Sequence, residues 1–254
     1  MASRKNKSTT TRTAIMISLL VLLCILAVWL WNRKRPHFIR YAAFGIEIPA
    51  NFPIHGIDVS RHQSIIDWDE VRLMQVDEIG INFAFIKATE GLNNTDKYFN
   101  RNWKNAREAA VTRGAYHFFL ATKSGKAQAE NFIRTVELER GDLPPVIDVE
   151  QTYGVSADKL RKNMKEFVET TEDYYGVKPI IYTNVDFYNH YLKTYFDEYP
   201  LWVAHYLQTD RPRVTRDWAF WQHSELGRVN GILNRVDFNV FNGDSTDFEK
   251  LLLP

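Results

Sequence analysis

The sequence predicts an α/β protein in which one irregular, TIM-like (β/α) barrel follows a single N-terminal transmembrane helix. Three observations predict it. An apolar run of 18 residues without a charge lies close to the N-terminus. Beyond residue 53, strand-like apolar segments alternate with helix-like segments, as in α/β domains. Carboxylates and aromatic residues recur where the predicted strands end, which is where parallel barrels carry their functional sites.

The first predicted element is a membrane-spanning helix from Ala14 to Trp31. A helix of this length rises about 27 Å and can just cross a bilayer core. Lys and Arg flank it on both sides, so charge does not define its orientation, and Trp29 and Trp31 lie at its interfacial end. A cleaved signal peptide is the alternative, but no small-x-small cleavage pattern follows the apolar core. We therefore predict an uncleaved anchor in the lipid bilayer, preceded by a short basic tail over residues 1–13.

Charge is unevenly distributed along the chain. Residues 1–40 carry eight Lys or Arg and no acidic residue, which leaves 24 basic against 31 acidic residues beyond them. An acidic domain offers no broad basic surface for a phosphate backbone, which argues against nucleic acid as a partner. The single cysteine, Cys24, lies inside the apolar run. The domain that follows therefore has no thiol for a disulfide, a zinc cluster or a cysteine nucleophile.

The remaining chain is predicted to form a juxtamembrane linker over residues 32–52 and one barrel domain over residues 53–254. About 200 residues are enough for one domain with a single core. Turn residues separate eight segments of strand-forming residues. These strand candidates are Ile54 to Val59, Ile81 to Lys87, Gly114 to Phe119, Pro145 to Val149, Lys178 to Tyr182, Leu201 to Ala204, Ala219 to Gln222 and Val236 to Val240.

Two segments between the strands have helical periodicity. Tyr98 to Arg113 places apolar residues on one side and stops at Gly114. The second begins after Ser156, a residue suited to an N-cap, and ends before Gly176. The later connections are too short for full helices, which predicts a strand-rich C-terminal half.

The most informative segment is Leu143 to Glu150, LPPVIDVE. Residues i and i+2 of a strand face the same side, so Asp148 and Glu150 would project from the strand end into one pocket. Two close carboxylates repel when both are ionised, so one tends to keep a proton, as the general acid of a glycosidase must. Solvated acids at a strand end are the plainer alternative.

Polar and aromatic residues at the other strand ends would share this pocket. A mixture of rings and carboxylates suits a carbohydrate groove, because sugar faces stack on aromatic rings while hydroxyls need polar partners. The candidates are Asp58, Tyr116, Tyr182, Trp202, Trp221, Gln222 and Asp237. Each also has a structural interpretation: Asp58 could cap a segment, Asp237 could bind a neighbouring acid, and the rings could line the barrel.

The motifs in their order resemble the glycoside hydrolase family 25 muramidases, the Chalaropsis-type lysozymes. They are GIDVSRHQSIIDW, FAFIKATEG, GAYHFF, DLPPVIDVE, KPIIYTN, YPLWVAHY, FWQHS and VDFNVFNG. The resemblance implies a modified β/α barrel that cleaves the β-1,4 bond between N-acetylmuramic acid and N-acetylglucosamine in peptidoglycan glycan strands. It implies that Glu150 is the general acid, with Asp148, Asp58 and Asp237 as the other acidic site residues. Tyr116, Tyr182, Trp202 and Trp221 match its groove aromatics.

The histidines have no metal-ligand spacing, and no metal or other cofactor is expected. A wall substrate implies a barrel outside the cytoplasmic membrane, held by a single-pass anchor. The sequence leaves open the roles of the acids in retaining, inverting and substrate-assisted routes. It also leaves open a tethered module that binds peptidoglycan without cleaving it, a tethered scaffold that positions partners, and an N-acetylglucosaminidase that uses the same site.

Overall fold

The computed structural model describes residues 6–33, 38–49, 51–206, 208 and 210–254. The chain forms two compact units, residues 1–36 and residues 37–254. The first unit contains helix α1, Asn6–Arg33. Within α1, Arg12–Leu30 is long and apolar enough to cross a membrane. This candidate span includes most of the segment predicted from the sequence.

The second unit contains a closed barrel that is built on the predicted strands. Its strands in chain order are β1 Phe38–Tyr41, β2 Ile46–Pro49, β3 His55–Val59, β4 Gln75–Val76, β5 Ile79–Glu90, β6 Asn94–Thr95, β7 Thr112–Phe118, β8 Val146–Asp148, β9 Ile180–Asn184, β10 Leu201–Ala204, β11 Phe220–Gly227 and β12 Val236–Phe241. Among the described residues, eight of these strands close the barrel in the order β3, β5, β7, β8, β9, β10, β11, β12.

Strand direction is mixed around the barrel. The seven barrel strands β3, β5, β7, β8, β9, β10 and β11 pair in parallel. Strand β12 lies antiparallel to both β11 and β3 and closes the barrel between them. The start of β12 therefore lies at the same end of the barrel as the C-terminal ends of the other strands. This position was not anticipated from the sequence, in which the site was argued from the C-terminal ends of parallel strands in an irregular barrel.

Helices cover part of the outer wall and one end of the barrel. They are α2 Trp68–Leu73, α3 Phe99–Glu108, α4 Gly125–Thr135, α5 Ala157–Tyr175, the turn α6 Val185–Phe187 with the π-helical turn Tyr188–Leu192, and α7 Ser245–Leu251. Ser156 caps α5 through its side chain, and Gly176 ends it in the left-handed conformation, as predicted. The predicted helix over Tyr98 to Arg113 ends earlier, at Glu108, because Ala110 has a φ of +58° and the chain then enters β7.

The barrel interior is filled by large aromatic rings. Phe83 and Phe85 of β5 pack in a buried cluster with Phe220 of β11. Neighbouring strands make room for them: a Cβ at Gly56 would lie 2.5 Å from the Phe83 ring, and a Cβ at Gly114 would lie 2.6 Å from the Phe85 ring. These rings fill this part of the barrel interior at the density of a protein core.

An N-terminal hairpin is part of the second unit. Strands β1 and β2 pair antiparallel within residues 32–52, which the sequence predicted to be a linker. Phe44, fully buried at the hairpin turn, packs edge-on against Phe238 of β12, and its carbonyl accepts a hydrogen bond from the Arg228 N–H. The linker prediction is therefore wrong for residues 38–49, because their apolar side chains bury against the outer barrel wall and stabilise a fixed structure.

Candidate active site

A cavity of about 330 Å³ opens at the end of the barrel where β8 stops. It contains most of the residues that the sequence predicted for the site. Its lining residues are Asp58, Ser60, His62, Lys87, Tyr116, Phe118, Asp148, Glu150, Tyr182, Trp202, Tyr206, Gln222, Glu225 and Asp237. Five of these are carboxylic acids, so the cavity is strongly acidic.

Asp148 and Glu150 lie together, as the D-x-E spacing predicts. Asp148 ends β8 and is the register partner of Phe118 on one side and of Tyr182 on the other. Its side chain is almost fully buried, and its Oδ1 has no hydrogen-bond partner among the described residues. Burial, the charge of Glu150 and a hydrogen bond shared with Glu150 raise the pKa of Asp148 well above its usual range. Burial and the neighbouring carboxylate thus both favour the protonated form of Asp148.

Asp58 and Asp237 form a second pair of carboxyls. They are direct register partners on β3 and β12, and they lie together because β12 runs antiparallel. Burial raises the pKa of Asp58 to about 6, against hydrogen bonds from Asn239 and Gln222 that lower it. Burial and the charges of Asp58 and Glu225 raise the pKa of Asp237 to about 9. At neutral pH, Asp237 is thus a proton donor beside an ionised Asp58.

Gln222 connects the aromatic side of the cavity to Asp58. Its Oε1 accepts hydrogen bonds from the hydroxyls of Tyr182 at 2.8 Å and Tyr206 at 2.6 Å. Its Nε2 donates to Asp58 Oδ2 at 2.8 Å. Asn239 Nδ2 donates to the same oxygen at 2.8 Å. These two bonds orient the Asp58 carboxylate.

The predicted aromatic residues divide into two groups. Tyr116, Tyr182 and Trp202 line the cavity. Trp202 stacks on Phe85 with 4.2 Å between ring centroids, and its Nε1 donates to Asn239 Oδ1 at 2.7 Å. It is 2 % exposed and forms part of the cavity floor.

Trp221, which the sequence analysis placed among the substrate-binding residues, does not line the cavity. Its neighbour Gln222 faces inward, and alternate residues of a strand face opposite sides. The Trp221 ring packs edge-on against Phe38 of the hairpin and Phe52, and its Nε1 donates to the His205 carbonyl at 2.9 Å. It is fully buried in the outer wall. No surface of its ring is left for a sugar.

Several site residues were missed by the sequence-based prediction. Tyr206 and Glu225 line the cavity, and Asn239 fixes Asp58. Glu225 lies in β11 where the register with β12 shifts, and such bulges turn side chains toward functional sites. Lys87, which the sequence analysis left outside the site, is the one lysine or arginine among the described residues that line the cavity.

The arrangement suits acid-base chemistry on a neutral polymer. Among the described residues, no group of three or more His, Cys, Asp or Glu side chains is placed to hold a metal ion. The cavity instead offers the adjacent carboxyls of Asp148 and Glu150, the Asp58 carboxylate held by two amides, and aromatic side chains. These are the groups that glycosidases use for proton transfer and for stabilising a cationic transition state.

Comparisons with known proteins agree with this chemistry. The chain is 49% identical to the uncharacterized protein YegX of Escherichia coli K12 over 82% of this chain and 77% of that protein. It is 36% identical to lysozyme M1 of Streptomyces globisporus over 76% of this chain and 69% of that protein. A family 25 glycosyl hydrolase from Bacillus anthracis has a similar structure, with a TM-score of 0.72 and 32% identity over 86% of this chain and 98% of that one.

Fold, cavity and relatives together define a glycoside hydrolase that acts on peptidoglycan. More particularly, the chain belongs to the glycosyl hydrolases family 25, whose family model matches residues 57–232. The resemblance noted from the sequence motifs is thereby confirmed.

Proposed function

We propose that the protein is a muramidase that hydrolyses the β-1,4 bond between N-acetylmuramic acid and N-acetylglucosamine. In this proposal Glu150 is the general acid and Asp148 stabilises a substrate-assisted intermediate. The observation that carries the assignment is the buried Oδ1 of Asp148, which has no hydrogen-bond partner among the described residues although Asp148 lines the cavity beside Glu150. A buried acceptor without a partner is costly, so a substrate N–H that reaches it would gain a strong hydrogen bond.

The acetamido group of muramic acid supplies that N–H and also the nucleophile. Its carbonyl oxygen attacks the anomeric carbon while the bond to the leaving sugar oxygen breaks, and Glu150 gives its proton to that oxygen. The resulting oxazolinium ring carries positive charge, which an ionised Asp148 stabilises through the ring N–H. Glu150, now a carboxylate, then takes a proton from water as that water attacks the anomeric carbon and opens the ring. Substrate-assisted glycosidases follow this scheme, with retention of configuration.

Asp58 and Asp237 support the acid pair from the opposite wall. Asp58 lies close enough for its charge to interact with that of Glu150. Two amides hold its carboxylate, and Asp237 shares a hydrogen bond with it. Such an anchored acceptor suits a sugar hydroxyl or the attacking water. Tyr116 and Tyr182 supply walls, and Trp202 part of the floor, against which sugar rings would pack.

Analysis of the digestion products tests the proposed bond. The full-length chain in detergent micelles is incubated with purified peptidoglycan, and the new sugar ends are reduced and identified by mass spectrometry. Reduced N-acetylmuramic acid ends are expected. Reduced N-acetylglucosamine ends would assign the other glycosidic bond and contradict the muramidase proposal. Retained wall binding without new ends would indicate a binding module.

The site of action follows from the substrate. Peptidoglycan lies outside the cytoplasmic membrane, and α1 contains a segment compatible with a signal or an anchor. We propose that α1 remains as a single-pass anchor, with residues 1–13 inside and the barrel outside. A tethered barrel works on wall close to the membrane, which suits local remodelling of the wall.

A further inference from the structure

A hydrogen-bond network runs from Trp202 at the cavity floor to the carboxylate of Asp58. The indole Nε1 of Trp202 donates to Asn239 Oδ1 at 2.7 Å, and Asn239 Nδ2 donates to Asp58 Oδ2 at 2.8 Å. Gln222 Nε2 donates to the same Asp58 oxygen at 2.8 Å. All four side chains are buried, so each hydrogen bond constrains the next without competition from bulk water.

The orientation of the Asn239 amide has a single solution. An indole N–H can donate a hydrogen bond but cannot accept one. Asn239 must therefore turn its oxygen to Trp202 and its NH2 group to Asp58. The opposite orientation would set two N–H donors against each other and the amide oxygen against a carboxylate oxygen.

The Gln222 amide is less constrained. Its oxygen accepts hydrogen bonds from the hydroxyls of Tyr182 and Tyr206, and a hydroxyl can either donate or accept. If Asp58 carried a proton on Oδ2, Gln222 could turn its amide over and keep its bonds to both hydroxyls. Of the two amides that hold Asp58, Asn239 is therefore the one whose direction is fixed by a donor-only partner.

We propose that Trp202 is a positioning residue that fixes the polarity of this network and thereby keeps Asp58 Oδ2 an acceptor. A proton shared by Asp58 and Asp237 then lies on Asp237, because two N–H groups favour the charge on Asp58. The pKa values of about 6 for Asp58 and about 9 for Asp237 agree with this distribution. The inference rests on the proposed function for its catalytic meaning, since a sugar hydroxyl or the attacking water needs a fixed carboxylate. Packing of a sugar on the Trp202 ring is a separate contribution.

The other ionisable groups around Asp58 are mostly acids and phenols, whose negative forms would oppose its ionisation. On the facing elements these are Tyr116 on β7, Asp148 on β8, Glu150 after β8, Tyr182 on β9, Tyr206 after β10 and Asp237 on β12. Lys87 on β5, the one lysine or arginine among the described residues that line the cavity, is paired with Glu90. The N–H groups of Asn239 and Gln222 act against burial and lower the pKa of Asp58. Loss of either group should therefore be measurable at Asp58.

The direct test is carbon-13 NMR titration of the Asp58 carboxyl in the full-length chain in micelles, with Asp58→Asn for assignment. Asn239→Leu removes one N–H from the carboxylate and should raise the Asp58 midpoint by about 1 to 2 pH units. Trp202→Phe should also raise the midpoint, by no more than Asn239→Leu, because Asn239 is then free to turn. If Trp202 acts through Asn239, adding Trp202→Phe to Asn239→Leu should cause no further rise.

Two further variants serve as matched controls. Tyr206→Phe removes a donor at 2.6 Å from the same network. Because a hydroxyl does not fix the orientation of the amide it binds, this variant should shift the Asp58 midpoint less than Trp202→Phe does. Trp221→Phe also removes a buried indole, whose Nε1 donates within the outer wall, and it should leave the Asp58 midpoint unchanged.

Kinetics provide the second readout. In Trp202→Phe, the acid limb of kcat/KM should move to higher pH by the amount of the NMR shift, because Asp58 acts as a carboxylate. Loss of ring packing alone would raise KM and leave the limb in place.

Three results would overturn the proposal: an unchanged Asp58 midpoint in folded Trp202→Phe, a further rise in the double variant, or an equal shift in Tyr206→Phe. The comparison of Trp202→Phe with Tyr206→Phe decides the question even where the double variant does not fold. A wild-type chain that does not cleave peptidoglycan would refute the proposed function, while the titration would still decide the role of Trp202.

Discussion

At the scale of single residues, the neighbours Trp221 and Gln222 show how strand alternation assigns roles. Both close a predicted strand, and both were candidate substrate-binding residues. Only Gln222 faces the cavity, where it orients Asp58, while Trp221 joins the barrel wall to Phe38 of the hairpin. Two adjacent residues of a regular barrel strand cannot both face inward. The assignment of Trp221 to stability and not to binding is therefore testable.

We expect Trp221→Phe to lower the free energy of unfolding by about 1 to 3 kcal/mol, since it removes a buried ring edge and leaves the His205 carbonyl without its donor. The value of kcat/KM should not change. Trp202→Phe is the comparison, because it removes the donor to Asn239 at the cavity floor and should lower kcat/KM. Urea unfolding and steady-state kinetics of both variants measure this. A loss of kcat/KM in Trp221→Phe without a loss of stability would contradict the assignment.

The site residues that the sequence predicted correctly share one property. Each lies at the end of a strand that the local sequence pattern already indicates. Asp148 and Glu150 follow a buried strand at a spacing that puts them on one side, and Asp58 closes the first strand. Tyr206 has no such signal, because its hydroxyl reaches Gln222 only through the path of the chain after β10. Glu225 depends on a register shift in β11, which only pairing with β12 reveals.

At the scale of elements, the hairpin of β1 and β2 is the main difference between prediction and structure. Its strands have four residues each, which is too short for a reliable periodic signal. It covers the outer side of β11 and β12, whose inner sides carry Gln222, Asn239 and Asp237. His223 is buried there against Phe38, and neither of its ring nitrogens has a partner among the described residues.

This buried imidazole makes the stability of the second unit sensitive to acid. Burial lowers the pKa of His223 from 6.5 to about 3. Below about pH 6.5 the unfolded chain binds a proton that the folded chain accepts only near pH 3. The free energy of unfolding therefore falls as the pH is lowered through this window. Asp58 and Asp237, whose folded pKa values are raised, contribute in the opposite direction, since their stabilising effect is lost as the pH rises.

Between pH 7 and pH 5, protonation of His223 in the unfolded chain should lower the wild type's free energy of unfolding by about 2 kcal/mol. We expect the loss over this pH range to be smaller by this amount in His223→Leu. Urea unfolding of the full-length chain in micelles at both pH values measures the difference. The exposed His190 offers the control, because His190→Leu removes an imidazole from the surface. An equal pH 5 to pH 7 difference in His223→Leu and wild type would show that His223 does not carry this effect.

At the scale of the whole molecule, the uneven charge distribution follows the division of the chain into two compact units. The first unit carries seven Lys or Arg and no acidic residue, whereas the second unit carries 25 basic and 31 acidic residues and is acidic overall. An acidic barrel is suited to work near an anionic membrane and wall without adsorbing to them. The order of the eight barrel strands could be predicted from the motifs. The antiparallel direction of β12 could not be predicted, because no local sequence pattern distinguishes a parallel from an antiparallel last strand.

The proposed topology predicts protection of the N-terminus. In spheroplasts that express the full-length chain with a tag at each end, added protease should remove the C-terminal tag and leave the N-terminal tag on a fragment that contains α1. The expectation follows from an uncleaved helix with residues 1–13 inside. Loss of the N-terminal tag alone would reverse the orientation, and its absence from cells before protease treatment would indicate a cleaved signal.

The measurement that tests the central claim most directly compares peptidoglycan digestion by the wild type, Glu150→Gln and the remote control Glu198→Gln. The account predicts that Glu150→Gln releases reduced muramic acid ends about 100 to 10,000 times more slowly than the wild type, because the leaving oxygen lacks its proton donor. It also predicts that sedimentation with the wall is unchanged, and that Glu198→Gln cleaves like the wild type. Release of muramic acid ends by Glu150→Gln at the wild-type rate would contradict the assignment of this cavity as the active site.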